Sequence, residues 1–266
     1  MTRLLGIALV LVACGGASGP VLRTESPTPT RSPIPTRTPA PSPSVTVAPP
    51  ASPSAPATPI VRPSGAIHYV AIGASDTVGV GSLDPHSGSW PSRVAALMPS
   101  DRTYRNLGVS GSLADQARRE QLPTAVREQP TVVTVWLAVN DLNAQVPAAA
   151  YRASLGAIVD SLVRDTPARI FVGTVPDLRA VPAYASTDQR ALLGLIQQYN
   201  NAIHDAAAKH GSRVVVVDLF TGSAELTTAM TVAADGFHPS DEGYVLIAQR
   251  FADVMRRSGV PLRAGP

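Results

Sequence analysis

Cysteine is almost missing from this sequence. Cys14 is the only one in 266 residues, so no internal disulfide can form and the fold must rest on its core. Lysine is equally scarce, with Lys209 alone among 22 basic residues. No dense basic patch with interleaved aromatics appears, so the net charge of +3 and the pI near 9.3 do not point to nucleic acid. Several arginines fall in a proline-rich N-terminal stretch, where contact with an anionic lipid surface and simple solvation both remain open readings. A long hydrophobic run is lacking too: Leu4 to Val12 is too short for a lasting membrane span. His68, His86, His204 and His210 have no carboxylate or cysteine cluster at ligand spacing, so no metal is expected. No cofactor is expected either.

What the N-terminus does contain is Arg3, the apolar run, and then Leu11-Val12-Ala13-Cys14-Gly15-Gly16. This resembles a bacterial lipoprotein signal, which implies cleavage before Cys14 and a lipid on its thiol. An ordinary secretory signal with an incidental cysteine is the alternative. Either way the mature chain is expected to be exported, and the lipid anchor would hold it to the extracytoplasmic face of a membrane. Residues 1–19 are assigned to this signal and processed terminus. Residues 20–65 are dominated by Pro, Ser, Thr and Ala, with Arg23, Arg31, Arg37 and Arg62 scattered among them. Such a composition cannot bury enough surface to offset its ordering entropy. Polyproline geometry at ~3.1 Å per residue would let this stalk reach on the order of 100 Å.

Residues 66–260 suit one domain. Strand-like runs recur at Ala66–Ile72, Thr103–Leu107, Thr131–Val139, Arg169–Val175 and Arg213–Leu219. Most are continuous apolar stretches, the pattern of strands buried on both faces. Helical patterns lie between them at Pro91–Met98, Ser112–Arg119, Pro147–Val163 and Thr187–Lys209, and a last helix starts at Ser240, an N-cap followed by Asp241 and Glu242. Strict alternation predicts a five-stranded parallel sheet with helices on both faces, a three-layer α/β/α domain.

In such a sheet the loops after the strands meet at one edge, so residues distant in sequence can converge there. After the first strand comes Gly73-Ala74-Ser75-Asp76, and Ser75 is a candidate nucleophile on a tight turn. Asn106 to Gly111 follows the second strand, Asn140-Asp141 the third, and Asp235-Gly236-Phe237-His238-Pro239 lies beyond the fifth. Asp235 and His238 are close enough for one turn to set the carboxylate against the imidazole, giving a base and its orienter. Asn140 offers an amide donor and Gly108 an unobstructed N–H; with the Ser75 N–H these would form an oxyanion hole. Each has a plainer reading. Ser75 and Asp235-Gly236 suit turns, His238 a surface position, Asn140-Asp141 a cap, and Gly108 an unusual backbone angle. Trp90 and Trp136 suit core or surface-anchor positions better than a binding platform.

Taken together, the four blocks resemble the SGNH, or GDSL-type, hydrolase family from Ile67 to Met255, a resemblance that implies the flavodoxin-like form of the α/β/α fold. That resemblance implies Ser75 as nucleophile, His238 as base, Asp235 as orienter, and Ser75, Gly108 and Asn140 as oxyanion donors. It also implies hydrolysis of carboxylic esters through an acyl-serine, on acetylated carbohydrate, lipid or short acyl esters. The rival is a non-catalytic binding module on the same fold. Two departures stand out: the family usually has Asp before the serine, where this chain has Ala74, and Gly two residues before the asparagine, where it has Ala138. The segment Pro176 to Tyr184 is expected to border the acyl or alcohol site.

Overall fold

The apolar runs pair as five parallel strands, β1 (His68–Gly73), β2 (Thr103–Asn106), β3 (Val132–Trp136), β4 (Arg169–Gly173) and β5 (Val214–Val217), in the order β2-β1-β3-β4-β5. These assignments come from a computed structural model that describes residues 65–264. Cys14, the signal segment and the stalk up to residue 64 lie outside the described residues. Register follows from side-chain alternation: Tyr69 pairs with Tyr104 on one side and Val132 on the other, and Val133 pairs with Ile170. From β1 the chain passes to β2 at one edge, then crosses back to β3 on the other side of β1. The loops after β1 and β3 therefore diverge, which opens a crevice at that switch point.

Ten helices accompany the sheet among the described residues: α1 (Ser75–Val78), α2 (Pro85–Gly88), α3 (Trp90–Leu97), α4 (Ala114–Glu120), α5 (Leu122–Arg127), α6 (Val139–Asn143), α7 (Ala148–Asp165), α8 (Gln189–Ala208), α9 (Ser223–Leu226) and α10 (Asp241–Arg257). Val70 and Ile72 pack under α4, α5, α7 and α8 in one buried cluster, while Tyr69 and Ala71 face α3 and α10 in another. The three layers follow from that two-sided burial. On the second face Trp90 is wholly buried, stacked on Phe251 at 4.2 Å and edge-on to Trp136 at 6.0 Å. The Ser240 hydroxyl accepts from Gly243 N at 3.3 Å, with Asp241 and Glu242 in the first turn of α10 and Arg256 and Arg257 in its last. Both ends suit the helix dipole. Among the described residues no helix is long and apolar enough to cross a membrane.

Several element boundaries differ from the sequence reading for identifiable reasons. β2 is an edge strand with Thr103, Arg105 and Asn106 exposed, unlike its doubly buried neighbours. β3 ends at Trp136 rather than Val139, because Ala138 takes φ +114° and the chain winds into α6. β4 ends at Gly173 because the Asn200 side chain takes both Val175 N (2.8 Å) and Val175 O (3.1 Å), the groups that further pairing would use. The helical pattern from Ser112 starts at Ala114 and is followed by a second helix, α5.

Candidate active site

The site begins where β1 stops. A Cβ at Gly73 would lie 1.9 Å from Thr77 Oγ1 and 2.9 Å from the Trp136 carbonyl oxygen, so the strand enters its turn only with glycine there. Ser75 opens α1, whose first N–H groups have no helical acceptor. Val78 N and Thr77 N both donate to Ala74 O at 3.0 Å, which fixes the turn beneath the hydroxyl. Ser75 is buried, 7% exposed.

The loop beyond β5 delivers its partners. His238 Nε2 lies 3.0 Å from Ser75 Oγ, and His238 Nδ1 lies 2.6 Å from Asp235 Oδ2. The other carboxylate oxygen accepts from Phe237 N (2.9 Å) and His238 N (3.0 Å). Burial alone would raise the Asp235 carboxyl, but the hydrogen bond to His238 and these two N–H donors outweigh it and hold it below the usual value. The loop is pinned at several points. Ala233 N donates to His238 O at 2.8 Å, Ala183 N to Gly236 O at 3.0 Å, and the Phe237 ring meets the imidazole edge-on at 4.7 Å.

The expected oxyanion donors are only partly free. Gly108 N donates to Asn106 Oδ1 at 2.9 Å, and the same Asn106 donates through Nδ2 to Thr77 O at 2.7 Å. The single N–H of Gly108 is thus committed to the protein. Its φ is not positive, so backbone freedom is not why glycine stands there; a Cβ would come within 3.0 Å of Thr77 Cβ and Asn106 Oδ1. Asn140 donates one of its two amide N–H bonds to Ser112 O at 3.2 Å, leaving the second.

Gln121 was not singled out in the sequence, yet it braces the whole arrangement. Buried at 3% exposure, it accepts from Gly73 N (3.0 Å) and donates to Gly73 O (2.9 Å) and Ser112 Oγ (3.1 Å). It therefore ties the strand that leads into Ser75 to the loop that receives Asn140, a bracing role at a site where Ala74 stands before the serine. Asp141, next to Asn140 and 2% exposed, accepts from Ala114 N at 3.0 Å; burial pushes its carboxyl up to about 6.

Two recesses adjoin the site. The larger, about 120 Å³, is walled by Leu178, Val181, Leu219, Phe237, Leu246 and Ile247 among others, with Pro176 and Asp177 also on it. The smaller, about 10 Å³, lies between Ala74, Leu137, Ala138 and Asn140. Asp76, Trp136 and Val139 line both. Trp136 is therefore both a core residue, with Nε1 donating to Thr174 O at 3.1 Å, and a wall of the site. Asp76 is partly buried, and burial pushes its carboxyl up to about 6, with the positive side of His238 opposing that rise. Among the described residues no group of three or more His, Cys, Asp or Glu is placed to hold a metal ion.

A serine hydrogen-bonded to a carboxylate-oriented histidine, at the switch point of a parallel α/β/α sheet, defines the class: a serine hydrolase. The sequence profile of the GDSL-like Lipase/Acylhydrolase family matches residues 71–246. The chain belongs to that family, and it is an ester-hydrolysing serine hydrolase. No curated protein sequence matches it. Solved structures share the fold. The psychrotrophic esterase EstA from Pseudoalteromonas sp., inhibited by monoethylphosphonate, is 17% identical with TM-score 0.56, covering 71% of this chain and 97% of its own. The family 3 carbohydrate esterase of Clostridium thermocellum is 21% identical with TM-score 0.54, covering 73% and 96%. The acetyl xylan esterase AlAXEase is 16% identical with TM-score 0.56, covering 70% and 98%.

Proposed function

We propose that this chain is a lipid-anchored, extracytoplasmic serine esterase cleaving small carboxylic esters, borne on carbohydrate or carrying short acyl chains, through an acyl-Ser75 intermediate. The observation that carries the assignment is the unbroken relay Ser75–His238–Asp235, at 3.0 and 2.6 Å. His238 Nε2 takes the Ser75 proton as Oγ attacks the carbonyl carbon. The Ser75 N–H and the second N–H of Asn140 meet the oxyanion. Collapse expels the alcohol, which leaves with the proton from His238. Water then attacks the acyl carbon, loses its proton to His238, and the acid departs as Ser75 is restored. Asp235 stays ionised throughout and stabilises the imidazolium.

A cavity of about 120 Å³ is well below the ~300–1,000 Å³ of clefts that take drug-sized ligands, which suits a short acyl group. Carbohydrate is favoured by the acetyl xylan and family 3 carbohydrate esterases among the structural relatives. Export and anchoring rest on Leu11-Val12-Ala13-Cys14 and the proline-rich stretch behind it.

The test is a fluorophosphonate probe with peptide mapping, run beside hydrolysis of p-nitrophenyl acetate. One adduct on Ser75, lost together with turnover in Ser75→Ala, is the expected result. No adduct at high probe excess and no turnover would instead leave a binding module on a hydrolase fold.

A further inference from the structure

Asp76 follows the nucleophile directly, and its place is unusual for a carboxylate. It lines both recesses, alongside Trp136 and Val139, and among the described residues no other residue donates a hydrogen bond to its side chain. The other carboxylate lining the larger recess is satisfied: Asp177 holds Arg179 at 2.6 and 2.8 Å. The cation on that recess, Arg250, turns its Nη1 to Asp218 O at 3.2 Å and Thr221 O at 2.6 Å, with no hydrogen bond to Asp76. A partly desolvated carboxylate with no donor beyond its own backbone N–H is costly. Adjacent Cα atoms are only about 3.8 Å apart, so an ester seated on Ser75 places its own substituents within reach of this side chain.

We propose that Asp76 is a specificity-determining residue: its carboxylate accepts a hydrogen bond from a free hydroxyl of the substrate next to the scissile ester. This deepens the esterase reading and rests on it. Preferred substrates are therefore partly acylated polyols, whether sugars or glycerol, rather than esters of plain alcohols. The reasoning is that of a site built around a substrate hydroxyl, which rejects the analogue lacking it because its own acceptor is then left unpaired.

The test compares 2-hydroxyethyl acetate with propyl acetate, which differ by a hydroxyl in place of a methyl. Wild type should favour the hydroxylated ester by about 10- to 100-fold in kcat/KM, the range of a hydrogen bond to a charged acceptor. In Asp76→Leu that ratio should fall to near one, and Asp76→Asn, similar in size but uncharged, should give an intermediate ratio and serves if the leucine variant does not fold. A merely structural Asp76 would lower both substrates equally and keep the ratio, which overturns the proposal. Equal wild-type rates on the two esters overturn it while leaving the esterase intact, whereas no turnover of either ester together with no Ser75 adduct overturns both. Methyl xyloside monoacetate and glycerol monoacetate then separate the sources, the one showing the larger dependence on Asp76 naming the polyol.

Discussion

Gly81 lies outside the relay but holds it in place, and Gly81→Ala is the sharpest test of the geometry. At φ +100° its missing side chain faces the histidine loop: a Cβ would sit 2.4 Å from Pro239 O, 3.0 Å from Ala233 Cβ and 3.1 Å from His238 Cβ. Carbon and carbonyl oxygen do not approach closer than about 3.3 Å in ordinary contacts. The backbone at Pro239 must therefore retreat by roughly 0.9 Å, taking its neighbour His238 with it. A bond of 3.0 Å from His238 to Ser75 then stretches past the ~3.2 Å limit for proton transfer. Misplacement by about 1 Å costs on the order of 100-fold, so kcat on p-nitrophenyl acetate should fall by about 10- to 100-fold. Backbone strain adds a stability loss of about 1–3 kcal/mol, or roughly 2–10 °C in Tm for a domain of this size. Gly222→Ala is the control, with φ +68° but no atom nearer than 3.7 Å; it should lose stability and keep kcat. The assay is steady-state hydrolysis well below Tm, with melting followed by circular dichroism. A folded Gly81→Ala enzyme within about twofold of wild-type kcat would refute the reasoning.

Four other expectations follow, three from the geometry and one from the N-terminal sequence. Asn140→Ala should lose about 10²–10³ in kcat while still labelling with fluorophosphonate; unchanged kcat would reduce Asn140 to its bond with Ser112. Ala138→Gly should lose no stability, because relief of φ +114° offsets the loss of a buried methyl. Ala117→Gly, equally buried on α4, should cost about 1.5 kcal/mol, and equal losses in the two would show Ala138 unstrained. Asp141 is raised from 3.8 to about 6, so its protonated form favours the folded state: its penalty is fully present above pH ~6 and disappears as pH falls towards ~4, by at most about 3 kcal/mol. Asp235, Asp177 and Asp115 are lowered and act oppositely, losing their contribution below pH ~4. From pH 7.5 to 5 the Tm of wild type should therefore rise relative to Asp141→Asn, and parallel curves would rule this out. Finally, on the proposed lipid anchor, Cys14→Ser should abolish lipid attachment, and protease cleavage within residues 20–63 should release the domain from the membrane fully active; mass spectrometry of the mature N-terminus and membrane fractionation check both, and an unmodified N-terminus at a residue other than Cys14 would overturn the anchor.

The order of strands and helices was readable because each β-branched run and each amphipathic stretch carries its own period, and the residues of the relay were readable because they sit in short local blocks. The bracing was not. Nothing about Gln121, just beyond the helical stretch Ser112–Arg119 and between α4 and α5 in the structure, says that its amide will reach back to Gly73, a contact across 48 positions. Asn106 was visible in its loop, but its capture of the Gly108 N–H depends on Thr77 lying opposite. The early end of β3 was hidden because alanine gives no sign of a positive φ; the departure from glycine at Ala138 was the only trace. Trp136 reads as core from its neighbours, and only the turn at Gly73 reveals that its ring also walls the site.

Ser75 and His238 are held by parts of the molecule with very different tenacity. Ser75 hangs from β1, an interior strand hydrogen-bonded to β2 on one side and β3 on the other, where opening requires something close to global unfolding. His238 sits in an irregular segment beyond the far-edge strand, secured by an isolated Val232–Pro239 bridge, a few turn hydrogen bonds and the close pass of Gly81. Segments of that kind open locally at a fraction of the global free energy. Warming or mild denaturant would therefore silence the chemistry while the sheet is still intact, so that loss of turnover reports the melting of one loop and not of the protein.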